Sequence, residues 1–412
     1  MIEKTSKAPK TAKSPPVTVL PRVGLQPGRQ KRVRAGHPWV FSNEIEMTAV
    51  ARALPPGGIV TLVDSGGAAL GTATFNPHPL ISARLLTGRE DVVINRNYLA
   101  RRISYALELR DALFDAPYYR LVWSEADRLP GLVIDRYGDV LVVQANTAGM
   151  DLLMPEILAA LDEVLSPKCV VLRNDNAGRE QENLPTETIV AKGDLGGAPI
   201  EVIENGAKFL ADPAGGQKTG WFYDHRENRA RVARLAKGRR VLDVYSYLGG
   251  FGIQAAVAGA AKVVCVDRSE AALGLAEQAA RLNDVADRCE FARGDSFHHL
   301  GQFAAVSELF DVVIADPPAF VKSKKDLRNG LKGYRKLTRL AANCVAPGGF
   351  LFAASCSYHV DAADFAEQIR GGLRDAHRSG RIIHSGGAGP DHPVHPYVPE
   401  SAYLKGVLLQ LD

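Results

Sequence analysis

Apolar and polar positions change rhythm along this chain. Between residues 21 and 90 the apolar residues come in short runs, at 23–25, 58–63, 69–75 and 81–86, punctuated by Gly, Pro, Asp and Asn. Several short strands in so few residues predict a small β-barrel. Leu99, Ile103, Ala106, Leu107 and Leu113 then recur at helical spacing and predict one helix over 94–114, joining two domains. Short apolar runs return after residue 120. A hairpin is expected over 131–144 with its turn at Tyr137-Gly138-Asp139, an amphipathic helix over 152–165, and strands at 169–172 and 188–191. No catalytic constellation stands out in this middle unit (91–200), which is expected to space or orient its neighbours.

From residue 201 the rhythm changes again. A hairpin at 201–210 and a helix ending near Lys237 precede strands at 241–244, 263–266, 290–292, 312–315 and 350–354, alternating with helices such as 269–282 and closed by a strand at 403–411. Alternation of this kind implies a doubly wound, largely parallel α/β sheet over 201–412. Residues 1–20, rich in Lys, Thr, Ser and Pro, bury too little apolar surface to order themselves and are expected to form a disordered basic tail.

Composition narrows the class. The chain has 412 residues, 46% hydrophobic and 23% charged, which fits a globular protein of several domains. No apolar run approaches the ~18 residues of a membrane span, and the start of the chain lacks the apolar core of a secretory signal. Five cysteines without a C-x-x-C pair argue against structural zinc and a disulfide framework, and fit a cytoplasmic location. No metal site is expected. The net charge is only +4, but residues 1–40 hold nine Lys/Arg against one Glu and residues 321–339 hold eight against one Asp. Two basic blocks on a near-neutral chain point to a polyanionic partner. Within them Arg29, Lys31, Arg32, Arg34, Lys322, Lys324, Lys325 and Arg335 are the candidate phosphate contacts, with Trp39 as a candidate base-stacking surface.

The densest chemistry lies at 241–252, where an apolar run ending in Asp243 and Val244 leads into Tyr245-Ser246-Tyr247-Leu248-Gly249-Gly250-Phe251-Gly252. Strand, glycine turn and helix N-terminus form a nucleotide cradle, and Asp267 ends the next strand where a ribose hydroxyl pair is held. The glycine pattern is not G-x-G-x-x-G, and a carboxylate at Asp243 would repel a pyrophosphate but not a cation such as S-adenosylmethionine (SAM). Cofactor contacts are therefore expected from Asp243, Ser246, Gly249, Gly250, Phe251 and Asp267, from Asp295 and Ser296 at the third strand's end, and from Asp316 at the fourth. Asp316-Pro317-Pro318 makes a rigid turn with few amide donors. Cys356 ends the fifth strand between two serines. A thiolate there can attack carbon 6 of a pyrimidine and make carbon 5 nucleophilic, with Asp316 holding or protonating ring nitrogen 3.

These motifs, with His37-Pro38-Trp39-Val40-Phe41 and Gln217-Lys218-Thr219-Gly220, resemble the RlmI-like large-subunit ribosomal RNA methyltransferases, which methylate cytosine carbon 5. The resemblance covers nearly everything after residue 20. It implies an N-terminal PUA domain that binds RNA, a β-rich middle domain and a C-terminal class I SAM-methyltransferase domain. It also implies that Lys218, Thr219 and Gly220 lie near SAM and that Cys356 is the nucleophile. One departure is Asp224-His225-Arg226, where the family has Asp-Gln-Arg. Ribosomal RNA or a ribosomal subunit is the implied partner, and a homodimer is a further expectation. Methylation of a guanine or adenine nitrogen, and a catalytically idle RNA-binding assembly factor, are the competing readings.

Overall fold

A computed structural model describes residues 19–412, so the tail expected over 1–20 falls almost wholly outside the described residues. In the first unit β1 (Arg22–Gly24), β2 (Trp39–Phe41), β3 (Gly58–Val63), β4 (Ala69–Phe75) and β5 (Ile81–Thr87) form one sheet in the order β1-β3-β4-β5-β2. Val23, Val40, Val60, Leu62, Ala73, Phe75 and Ala83 fill its core. The basic segment between β1 and β2 is a short helix, Gln30–Arg34, anchored by buried Val33.

The middle unit is a second five-stranded sheet: β6 (Tyr118–Trp123), β7 (Leu132–Tyr137), β8 (Val140–Ala145), β9 (Cys169–Asn174) and β10 (Glu187–Lys192), in the order β10-β9-β8-β7-β6. The helix Arg96–Leu113, capped by the Asn95 side chain on the Tyr98 amide, buries Leu99, Ile103 and Ala106 in this unit's own core. It is thus part of the middle domain rather than a free connector.

A hairpin of β11 (Ile200–Glu204) and β12 (Ala207–Ala211) turns at Asn205-Gly206, both with positive φ, as a two-residue loop between twisted strands requires. The last sheet contains β13 (Arg240–Val244), β14 (Lys262–Asp267), β15 (Cys289–Arg293), β16 (Phe310–Ala315), β17 (Val345–Ser355), β18 (Gly380–Gly386) and β19 (Lys405–Leu411). Their order is β15-β14-β13-β16-β17-β19-β18; β13 to β17 run parallel, and β19 is antiparallel to both its neighbours. Successive residues of one strand enter opposite cores: Val241 and Val263 one, Leu242 and Val264 the other. Apolar residues at every position reflect burial on both faces. The chain reverses its direction of travel across the sheet at β13, between β14 and β16, where such folds bind ligands at the strands' carboxyl ends.

Candidate active site

The turn after β13 stores backbone strain. Tyr245 (φ 62°), Tyr247 (φ 50°) and Gly249 (φ 72°) all lie in the left-handed region, which two tyrosines occupy only when the surroundings impose it. Asp267 supplies part of that constraint: its Oδ2 accepts from the Tyr247 amide at 2.8 Å and its Oδ1 from the Ser269 amide at 2.9 Å. Ser246 is buried and its Oγ has no hydrogen-bond partner among the described residues. An orphaned hydroxyl inside a strained turn, beside an acid ending the second strand, fits a cradle that a polar nucleoside completes.

The glycines do something other than expected. A Cβ on Gly249 would stand 2.9 Å from Ile253, on Gly250 3.1 Å from Arg229, and on Gly252 2.5 Å from the Cys265 sulfur. Gly252 lets the helix Gly250–Val257 pack closely on β14, while Gly249 and Gly250 give room to Ile253, Ala276 and Arg229. Phe251, expected at the cofactor, is buried against His225 and Phe352. Asp243 lies under the turn, accepting from the Gly252 amide at 2.9 Å. Burial, reinforced by the Asp316 and Asp267 charges and only partly offset by the Gly252 amide, pushes its carboxyl up to about 8.

Ser296 is buried at the start of its helix. Asp295 caps that helix through the His298 amide at 3.0 Å and pairs with Arg268. Those two contacts outweigh burial and lower its carboxyl below the usual range. In the Lys218 segment, Thr219 is fully buried and donates to Asp135 Oδ2 at 2.5 Å, so it ties the last domain to the middle one instead of facing a ligand. Gly220 (φ 109°) and the Gln217 amide, which donates to the Tyr247 hydroxyl at 3.0 Å, hold the loop against the strained turn.

Asp316 and Cys356 follow the ends of adjacent parallel strands, β16 and β17, paired at Ala315 and Ala353. The serines flanking Cys356 are structural. Ser357 Oγ accepts from the Val321 amide at 3.1 Å and shares a 2.7 Å hydrogen bond with the Tyr334 hydroxyl, which clamps the two strand-end loops together. Ser355 Oγ accepts from the Ser357 amide at 3.3 Å. Cys356 is partly buried and lines a cavity of about 630 Å³ with Trp123, Lys218, Tyr403, Gln144 and Asn146. Burial, then the Asp316 carboxylate, push its thiol up, while the Lys218 ammonium pulls it down. Cys169, Cys265 and Cys344 are buried in the cores, where burial raises their thiols as well. No group of His, Cys, Asp and Glu among the described residues could hold a metal ion.

Several residues at this cavity were not expected. The middle domain supplies one wall. Trp123 at the end of β6 has the Arg120 guanidinium 4.9 Å from its ring and Tyr403 at 6.0 Å, and Arg120 forms a buried bidentate pair with Asp135 at 2.8 Å. Tyr403 donates to the buried Asp224. Burial alone would raise the Asp224 carboxyl, but the Lys218 charge, His392 and that hydroxyl hold it far below the carboxylate range. Lys405 donates to the carbonyls of Ser357 and Tyr403, both at 2.7 Å.

The basic blocks divide. Arg29 and Lys31 are exposed, and so are Lys322, Lys324 and Lys325 ahead of the helix Leu327–Asn343. Arg32 instead folds back onto the Trp39 carbonyl at 3.0 Å and the Phe41 ring at 4.7 Å; Arg34 pairs with Asp64, and Arg335 with Asp375. Trp39 is half-buried, and its indole N–H donates to Glu125 of the middle domain at 2.9 Å.

Residues 189–409 match the family model described as S-adenosylmethionine-dependent methyltransferase, and residues 23–88 match a PUA-like domain. The chain is 37% identical over 391 residues to the ribosomal RNA large subunit methyltransferase I of Aeromonas salmonicida, covering 94% of this chain and 98% of that protein. The Pseudoalteromonas atlantica protein of the same name is 37% identical over 396 residues, covering 95% and 99%. Among solved structures, a methyltransferase complexed with SAH superposes with a TM-score of 0.80 at 21% identity, over 95% of this chain and all of that one (100%), and shares the fold.

Proposed function

Because the chain belongs to the ribosomal RNA large subunit methyltransferase I family, we propose that it methylates carbon 5 of a cytosine in large-subunit ribosomal RNA through a Cys356 adduct at carbon 6. SAM is its methyl donor. The observation that carries the reading is the sulfur's position, in a cavity lined by the aromatic side chains Trp123, Tyr358 and Tyr403 and beside the Asp316 charge.

Cytosine carbon 5 is a weak nucleophile. Addition of the Cys356 thiolate to carbon 6 places electron density on carbon 5, with Asp316 beside ring nitrogen 3 where charge develops. Trp123 and Tyr403 offer flat faces for a base drawn out of its stack. SAM, held by the strained turn, Ser246 and Asp267, supplies the methyl group. Carbon 5 bonds to that methyl, carbon 5 then loses its proton, and the carbon 6–sulfur bond breaks to release 5-methylcytosine and the thiolate. Arg29, Lys31, Lys322, Lys324 and Lys325 contact phosphates. The enzyme works in the cytoplasm; no helix among the described residues is long and apolar enough to cross a membrane.

Incubation with ribosomal RNA and labelled SAM, followed by nucleoside mass spectrometry, tests this. Wild type is expected to yield 5-methylcytidine, and Cys356→Ala to lose about 10³-fold or more in rate. Normal methylation by the alanine variant, or label in a guanosine or adenosine, would defeat the thiol mechanism.

A further inference from the structure

Asp316 lacks the support a carboxylate at a strand end usually finds. Aspartates in turns are commonly held by backbone amides one or two residues ahead. Here both of those residues, Pro317 and Pro318, have no N–H. The side chain that does meet Asp316 comes from far away in sequence: His225 Nε2 lies 3.2 Å from Asp316 Oδ2, a close polar contact. A quarter of the Asp316 side chain is exposed (25%), whereas the His225 side chain is nearly enclosed (4%).

The neighbours of His225 determine which ring nitrogen carries the proton. Asn228 Nδ2 is 3.1 Å from His225 Nδ1 and 3.2 Å from the Gly387 carbonyl oxygen. A carbonyl oxygen only accepts, so the Asn228 atom facing it is the NH₂ group. The same NH₂ then donates to His225 Nδ1, which must carry a lone pair. The imidazole is left with its proton on Nε2, directed at Asp316 Oδ2. Phe251 and Phe352 meet the ring edge-on at 5.4 and 6.1 Å and restrict its rotation.

We propose that His225, oriented by Asn228, is a positioning residue that fixes Asp316 Oδ2 and so leaves Oδ1 as the oxygen presented to the target base. This rests on the reading of Asp316 as the group facing ring nitrogen 3. The Nε2–H of the ring, 3.2 Å from Oδ2, takes the place of the amides that the prolines removed and restrains the carboxylate plane.

Two measurements test it. In the free protein, ¹⁵N NMR of histidine-labelled enzyme, with His225 assigned by its loss in His225→Gln, should show an unprotonated Nδ1 and a protonated Nε2. The opposite tautomer would overturn the proposal whatever the enzyme methylates. Methyl transfer to ribosomal RNA is then compared across variants. His225→Leu should lower kcat about 10- to 100-fold, the loss expected for a hydrogen bond to a charged group, with SAM affinity unchanged. His225→Gln should recover to within about threefold, and His225→Leu should add nothing in an Asp316→Asn background. A Leu variant as fast as wild type, a Gln variant as slow as Leu, or additive losses would each overturn it. If wild type instead methylates a base other than cytosine, the underlying reading fails on its own, and the tautomer result still stands as the test of this one.

Discussion

The Cys356 thiol is pulled in two directions. Burial, then the Asp316 charge, push it up; the Lys218 ammonium pulls it down, and the net shift is upward. Below a thiol's pKa its reactive thiolate fraction grows about tenfold per pH unit, so methyl transfer should accelerate with rising pH across the neutral and mildly alkaline range. Lys218→Met removes the main cation acting in the thiolate's favour. It should displace the rising limb of the pH–rate profile to higher pH and slow the reaction at pH 7.5 by roughly tenfold, a loss that raising the pH restores. An unmoved limb would show that Lys218 does not reach the sulfur. Residue identity made Cys356, Asp316 and Asp267 legible in the sequence, because each ends an apolar strand. His225, Trp123 and Tyr403 were not, since they meet Cys356 and Asp316 only through the fold. The burial that raises the Asp243 carboxyl was not legible either, because burial is invisible in a linear pattern.

At the scale of elements, the glycine turn separates what a pattern can and cannot say. Strand, turn and helix were visible in the apolar run and the glycines of 241–252. The reason for the glycines was not: Gly252 serves helix-to-sheet packing, which depends on what lies across the interface. Gly252→Ala makes that visible. Its methyl would start 2.5 Å from the Cys265 sulfur, so the variant should lose about 1–3 kcal/mol in urea unfolding. A stability equal to wild type would mean that the helix shifts freely. β18 also escaped the sequence reading; its exposed positions and partner β19 give it no apolar run of its own. The basic helix Leu327–Asn343 shows the same limit, since counting charge could not tell the paired Arg335 from the free Lys322.

Across the whole molecule, the middle domain is joined to the catalytic loop by buried polar groups. Arg120 and Asp135 form a buried bidentate pair, and Asp135 also accepts from Thr219. The Arg120 amide donates to buried Asp391 at 3.0 Å. Removing one partner leaves an uncompensated charge, so Arg120→Ala should cost about 3–5 kcal/mol of stability and enlarge the cavity beside Trp123. Calorimetry checks the first effect, and a loss below about 1 kcal/mol would mean that solvent reaches the site. The alternating elements of the last domain were legible because each buries both faces of a strand. The middle domain's part in the active site was not, because it rests on contacts between residues more than eighty positions apart, such as Asp135 and Thr219.

The bond between the Cys356 sulfur and carbon 6 of the target base is the claim on which the chemistry depends. Ribosomal RNA carrying 5-fluorocytidine would arrest the reaction after methyl transfer, because fluorine cannot leave as the proton does. Digestion and mass spectrometry of the trapped complex should then find a methylated 5-fluorocytidine attached to the peptide containing Cys356, and no adduct with Cys356→Ala. An adduct on another residue, or unarrested turnover of the fluorinated RNA, would contradict it.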